Sequence, residues 1–227
     1  MKLTIVMPVL DEAPSLAASL APLQALRARG ATLIVVDGGS QDGSATVAEP
    51  FADAVIPAPR GRARQMNAGV AATAAPGLAD VLLFLHADTA LPTTADALVA
   101  QALQTRRWGR FDVRIEGRSP ALRVVAALMN LRSRCTGIAT GDQAIFVRRD
   151  AFVAVGGFPD QPLMEDIELS ARLKRRFGRP ACVRGPVRTS GRRWERRGVW
   201  RTIVLMWRLR LAYWLGVKPE RLAEAYR

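Results

Sequence analysis

The chain has 227 residues, 49% of them hydrophobic, which supports one large domain with a sizeable core and excludes disorder. Lys and Arg number 33 against 20 Asp and Glu, a net charge of +13 that attracts nucleic acid, anionic lipid or phosphorylated substrates without choosing among them. Two distant cysteines, Cys135 and Cys182, argue against a disulfide framework and suit a reducing cytoplasm, and a single histidine, His86, leaves no Cys/His cluster for zinc.

Residues 2–9 are a β-rich run followed by Asp11-Glu12, too short for a signal peptide, and read as a strand. A helix is predicted over residues 15–29, where Leu16, Leu20, Leu23 and Leu26 repeat near helical spacing and Gly30 ends it. Residues 32–36 form a second buried strand that ends in Asp37-Gly38-Gly39-Ser40-Gln41-Asp42-Gly43-Ser44, a turn entering a helix. A short third strand covers residues 54–56, and residues 60–69 are a basic turn entering a helix. The fourth strand, residues 80–85, runs into His86-Ala87-Asp88-Thr89.

This alternation predicts βα units on a parallel sheet. Right-handed crossovers then bring residues 8–12, 37–44 and 86–89 to one sheet edge. An aspartate at such an edge can accept from a ribose hydroxyl or base N–H, or hold a divalent cation against a diphosphate. The same residue types also make turns and helix caps. The glycine-rich turn is neither a P-loop nor a Gly-x-Gly-x-x-Gly fingerprint.

In the second half, a helix starts at Thr93 or Thr94 and runs to about Gln104. Residues 108–116 alternate Phe111, Val113 and Ile115 with polar residues and read as a strand. A helix follows over residues 121–134, with Leu128, Met129 and Leu131 expected in the core; Arg132 and Arg134 could reach a phosphate, but near a helix C-terminus they are expected simply to favour the dipole. Residues 140–149 join a turn to a strand, and a further helix precedes Gly156-Gly157-Phe158-Pro159. In residues 163–173 an inward face of Ile167, Ser170, Ala171 and Leu173 leaves Glu165 and Asp166 at a helix N-terminus, a place that favours acids. Residues 189–198 are strongly basic and read as a loop. Residues 198–217 are mostly apolar, but each of Arg201, Arg208 and Arg210 costs ~2.5–3.5 kcal/mol in a membrane centre against ~0.3–0.6 returned per apolar side chain. A span is marginal, which leaves a membrane-surface helix, packing on the domain, or a dimer interface. Lys218-Pro219-Glu220 starts a terminal helix.

Together, Pro8-Val9-Leu10-Asp11-Glu12, the 36–44 segment, Asn67-Ala68-Gly69 and the Asp88 segment resemble the inverting glycosyltransferases of family 2. Further likeness in Leu131-Arg132-Ser133-Arg134, Gly141-Asp142-Gln143, Leu163-Met164-Glu165-Asp166 and the 192–198 segment resembles the selenium-domain-associated transferases (type 2). The resemblance implies a GT-A fold: α/β, Rossmann-like, a mixed, mainly parallel sheet flanked by helices, with C-terminal amphipathic helices. It implies one domain over 1–227, with a nucleotide-sugar-binding half (1–90), an acceptor and catalytic half (91–197) and terminal helices (198–227).

By the same resemblance, Pro8, Leu10, Glu12 and Asp37 line the nucleoside pocket, and Arg64 and Ala87 approach the nucleotide. Asp88 is the metal acid for Mn2+ or Mg2+. Asp166 is the general base beside Glu165. Asp142 lies on the acceptor side, and Arg192, Arg193 and Trp194 serve the diphosphate or acceptor. The implied donor is a nucleotide sugar, with UDP favoured. There are two departures: His86 replaces the usual first aspartate of the metal motif, which suits Mn2+ better than Mg2+, and Gly38 stands where a second aspartate is common. Ser190 replaces the Gln/Arg that precedes Arg-Trp in processive relatives, so polymer synthesis is not implied.

Two other readings compete. A nucleotidyltransferase needs an N-terminal glycine-rich loop with a following Arg or Lys, which residues 8–12 lack. A non-enzymatic basic module for anionic membrane or nucleic acid rests on charge and the 192–197 cluster, yet no groove-reading motif is present, so no nucleic-acid partner is expected. The expected setting is cytoplasmic, with residues 198–217 available for the inner membrane face or a homo-oligomer.

Overall fold

In the computed structural model, which describes residues 1–73 and 79–226 and all their side chains except Arg193 and Arg196, β1 (Leu3–Val9) is buried along its whole length. Its alternating side chains enter two layers: Leu3, Ile5, Met7 and Val9 join one core cluster and Val6 another. Residues buried on both faces of a strand mark a central position in a parallel sheet. Helix α1 (Ala13–Leu20) is separated from α2 (Gln24–Ala28) by a 3-10 turn over Ala21–Leu23, which breaks the single helix expected over 15–29. Pro22, without an N–H, is the physical cause.

The chain continues through β2 (Thr32–Asp37), α3 (Ser44–Ala48), β3 (Ala54–Pro57), α4 (Arg62–Ala71) and β4 (Val81–Phe84). The short β5 (Thr89–Ala90), α5 (Ala95–Ala102), β6 (Trp108–Glu116) and α6 (Ala121–Thr136) follow. Then come β7 (Phe146–Arg148), α7 (Arg149–Ala154), α8 (Glu165–Phe177), β8 (Ala181–Ser190), α9 (Arg192–Arg197), α10 (Val199–Trp214) and α11 (Pro219–Tyr226).

The strand order is β3-β2-β1-β4-β7-β6-β8-β5. The first four strands are parallel, as are β6 and β8, while β7 runs antiparallel to both β4 and β6. Strand β8 was not anticipated. Its interior holds Gly185-Pro186, a break signal, and these lie where the β6–β8 register shifts between Phe111 and Val113. The basic stretch expected to be a loop is the end of β8 followed by α9.

One expectation about a helix face is corrected, and one open alternative is narrowed. Leu128 and Leu131 are 55% and 57% exposed, because α6 turns Leu122, Val125 and Ala126 inward instead. Met129 is partly buried against the core. The inner face of α10 packs on the domain: Leu209, with Leu222 of α11, forms a cluster with Met164, joined by Leu205, Met206 and Ile167. Its outer face carries the exposed Trp200, Val204, Trp207, Leu211 and Trp214. Among the described residues no helix is long and apolar enough to cross a membrane.

Candidate active site

The ladder between β1 and β4 stops at Val6 opposite Phe84, so the missing N–H of Pro8 leaves no gap in it. Beyond that point the loops after β1 and β2 are stitched together. Asp11 N–H donates to Ser40 Oγ (3.0 Å), and Gln41 N–H donates back to the Asp11 carboxylate (2.9 Å). Glu12 N–H donates to Ser44 Oγ (2.9 Å), and Ala13 N–H to the Asp42 carboxylate (2.8 Å). Glu12 is half-buried and accepts from Ser15 Oγ at 3.2 Å; Leu10 is half-buried in the same loop.

Asp37 closes β2. Its Oδ2 accepts the N–H groups of Gly39 and Ser40, each at 3.0 Å, while its Oδ1 is buried with no hydrogen-bond partner. A buried carboxylate oxygen left open is costly unless a ligand N–H or O–H completes it. Gln65 on α4 organises the same corner. Its Nε2 donates to the carbonyls of Val9 and Val36, both at 2.8 Å, which ties the ends of β1 and β2 to one side chain. A Cβ at Gly38 would sit 3.0 Å from the Gln65 carboxamide, so the space an aspartate would need there is taken. Sequence reading passed over Gln65 because its role depends on two carbonyls distant in the chain.

Arg64 is exposed, and its Nε holds Asp160 at 2.7 Å. The Ala87 methyl is in the core, so only its backbone can face a ligand. Asp88 is exposed and takes one long hydrogen bond, from Thr89 Oγ1 at 3.4 Å. Its carbonyl accepts Ser190 N–H (3.1 Å), and Ser190 Oγ accepts from Arg192 N–H (3.3 Å) and Nε (3.1 Å). Asp88 and Arg192 therefore share a corner, locked by the Thr89–Thr189 hydroxyl bond at 3.0 Å. Trp194 leans on the main core, and the Arg193 side chain lies outside what is described.

Among the described residues no three His, Cys, Asp or Glu side chains converge as a metal cluster. A lone, lightly used carboxylate fits Mn2+ or Mg2+, whose other positions diphosphate oxygens and water can fill.

The second half brings acids to the same edge. Buried Met164 adopts a left-handed φ of +66° immediately before α8, a conformation uncommon for its residue type. It launches Glu165 and Asp166. Asp166 Oδ2 accepts Gly141 N–H and Oδ1 accepts Ile167 N–H, both at 2.7 Å. Gly141 opens the 3-10 turn that carries Asp142, and His86 packs on it so closely that a Cβ there would fall 2.4 Å from Cε1 of the ring. The Nδ1 of His86 is 3.4 Å from the Asp142 carboxylate. His86 therefore joins the end of β4 to the turn that holds Asp166. Burial pushes the Glu165 carboxyl above its ordinary range, and neighbouring Asp166 pushes it further, against the opposing charges of Arg62 and His86.

Arg132 on α6 and Arg210 on α10 also lie within electrostatic reach of Asp166; for Arg132 a helix-dipole role was expected over a phosphate contact, and for Arg210 no role at a site was expected. Burial and then the neighbouring Arg210 push Arg132 down to about 10, against the pull of Asp166 and Asp142. Burial also lowers Arg210, against the pull of Asp166. A signal existed for Arg210: it adjoins Leu209, on the inward face of an amphipathic helix.

The sequence profile of glycosyl transferase family 2 matches residues 4–149, more than half the chain. The chain belongs to glycosyl transferase family 2. With the mixed, mainly parallel sheet it has the expected GT-A fold, and solved structures resemble it at identities that speak for fold. TarS 1-349 of S. aureus superposes with a TM-score of 0.62 at 14% identity, covering 84% of this chain and 61% of that one. The mannosyltransferase PcManGT from Pyrobaculum calidifontis, in complex with GDP-Man and Mn2+, gives 0.60 at 20% identity over 83% of this chain and 56% of its own. Glucosyl-3-phosphoglycerate synthase from Mycobacterium tuberculosis, in complex with Mn2+, UDP and glucosyl-3-phosphoglycerate, gives 0.59 at 18% identity over 83% and 70%. The family 2 chain described here thus spans about three-fifths of the length of the first two. No curated protein sequence matches it.

Proposed function

We propose that this chain transfers a sugar from a nucleotide-diphosphate sugar, with a UDP-sugar favoured, to an acceptor hydroxyl with inversion. One observation carries the reading: Asp37, Asp88 and Asp166 gather at one sheet edge, with Asp166 linked through Gly141 to His86, two residues from Asp88. The solved structures that contain UDP, UDP-GlcNAc or GDP-Man, several with Mn2+ or Mg2+, support the donor class.

In this reading, residues 1–90 hold the donor and residues 91–197 the acceptor. The open Asp37 oxygen accepts an N–H or O–H of the nucleoside, and Pro8, Leu10 and Glu12 wall its pocket. Arg64 reaches the nucleotide by giving up Asp160, an exposed pair worth little. Asp88 holds Mn2+ or Mg2+, which supplies positive charge to the diphosphate. Asp166 accepts the acceptor proton. The acceptor oxygen bonds to the anomeric carbon on the face opposite the diphosphate. The carbon–oxygen bond to the β-phosphate breaks, and its electron pair leaves on that oxygen beside Arg192.

Thermal melts with UDP-, GDP-, dTDP- and CDP-sugars test this. A true donor raises the melting temperature with concentration, and Asp88→Ala abolishes the metal-dependent part. No response to any of them in the presence of Mn2+ would end the reading.

The outer face of α10 belongs, in the same reading, to the anionic inner face of the cytoplasmic membrane. Trp200, Trp207 and Trp214 recur at helical spacing on it, with the exposed Arg201 and Arg208 alongside to meet lipid phosphates. Co-sedimentation with anionic but not neutral vesicles, lost in Trp207→Glu, is the expected result. Vesicle-independent dimerisation through the same residues overturns it.

A further inference from the structure

Arg132 Nε and Nη2 and Arg210 Nη1 are sealed from solvent and donate to nothing among the described residues. Arg110 offers the contrast: it too has an unpaired Nε, but its charge is spent on Asp112 and its other donors on the carbonyls of Phe111 and Asn130. The carboxylate whose charge both open arginines feel is Asp166, whose two oxygens already accept the N–H groups of Gly141 and Ile167. Two neighbouring guanidiniums with buried, unpaired donors oppose folding. Helix α10 nevertheless keeps Arg210 there, because Leu209 beside it is fixed in the cluster with Met164 and Leu222. A phosphate or carboxylate offers several oxygens in the geometry that pairs of guanidiniums satisfy best.

We propose that Arg132 and Arg210 clamp an anionic group, phosphate or carboxylate, on the acceptor itself, so that the hydroxyl attacked lies close to an oxyanion. The assignment to the acceptor rests on Asp166 being the base. The clamp adjoins Asp166, whereas the donor diphosphate belongs at the corner of Asp88, Ser190 and Arg192.

The test titrates orthophosphate, and separately UDP with Mg2+, into the full chain and into Arg132→Met and Arg210→Met. Orthophosphate binds wild type with and without UDP and Mg2+. Each variant weakens orthophosphate about tenfold, or about 1.4 kcal/mol, and leaves UDP affinity within about twofold. Neither variant melts lower than wild type without phosphate, since each removes a buried unpaired charge, so misfolding cannot imitate the result. Three outcomes overturn the proposal: phosphate affinity unchanged in both folded variants, UDP affinity falling in parallel with phosphate, or phosphate and UDP excluding one another. If wild type binds orthophosphate through the arginines but no nucleotide with Mg2+ or Mn2+, the glycosyltransferase reading fails and the anion clamp stands apart from it.

Discussion

In the amino-terminal half, around the carboxyl ends of β1 and β2, the polar groups are largely paired with one another. Asp11 exchanges bonds with Ser40 and Gln41, Glu12 and Ala13 donate to Ser44 and Asp42, and Gln65 satisfies two strand-end carbonyls. The open atom is Asp37 Oδ1. Around α8 the balance reverses: Asp166 is held by backbone N–H groups, but Arg132 and Arg210, within electrostatic reach of it, keep buried donors unspent. The first region is a rigid frame with one opening, stitched together by hydrogen bonds between segments 29 to 56 residues apart. The second is charge stored by long-range packing, which a ligand must complete. The difference fits the proposed division between a donor pocket of fixed form and an acceptor pocket of fixed charge.

Four substitutions test that contrast. The largest effect is expected from Asp166→Asn, which keeps the size of the side chain but removes the proposed base and one of its two acceptors for the N–H groups of Gly141 and Ile167. Turnover should fall about 10²–10⁴-fold with nucleotide binding intact, measured by product formation and calorimetry; turnover within a few-fold of wild type would remove Asp166 from the mechanism. Next, Gln65→Leu removes the donor that the carbonyls of Val9 and Val36 share, although Val9 still accepts Gly38 N–H at 2.9 Å. It should cost about 0.5–1.5 kcal/mol for each hydrogen bond lost in denaturant unfolding, and a neutral result would show that the frame does not depend on it.

Gly141→Ala forces His86 off the turn that holds Asp166. We expect a loss of about 1–3 kcal/mol from overpacking, with turnover reduced beyond what stability explains; an unchanged melting temperature would show that the imidazole is free to move. The smallest effect is pH-dependent. The raised Glu165 carboxyl means that the native protein keeps a proton the unfolded chain releases. Its stabilising contribution is present below the ordinary carboxyl range and is lost as pH rises through the elevated value. Glu165→Gln should therefore melt increasingly above wild type across that window and show no such gain at low pH. A gap independent of pH would refute the burial argument.

Much of the frame was legible in the sequence. Strands β1, β2, β4 and β6 announce themselves by apolar runs or alternation, and the turn after Asp37 by its glycines and small polar residues. The acids opening α8 follow from its inward face. Strand β8 was hidden by Gly185-Pro186, which signals a break locally but is absorbed by a register shift against β6. Leu128 and Leu131 were misplaced because apolar side chains on α6 occupy more than one face, and only contact with the sheet selects Leu122, Val125 and Ala126.

By itself the sequence determined the parallel sheet edge and its acids, because periodicity, turn chemistry and crossover hand are properties of neighbouring residues. Only the tertiary structure decided that His86 would face Gly141 and Asp142, that Gln65 would fill the space beside Gly38, and that Arg210 would come within electrostatic reach of Asp166. Each is a meeting of segments far apart in the chain. For Arg210 the deciding force is the burial of Leu209 against Met164 and Leu222, which sets the rotation of α10 and with it the direction of the charge.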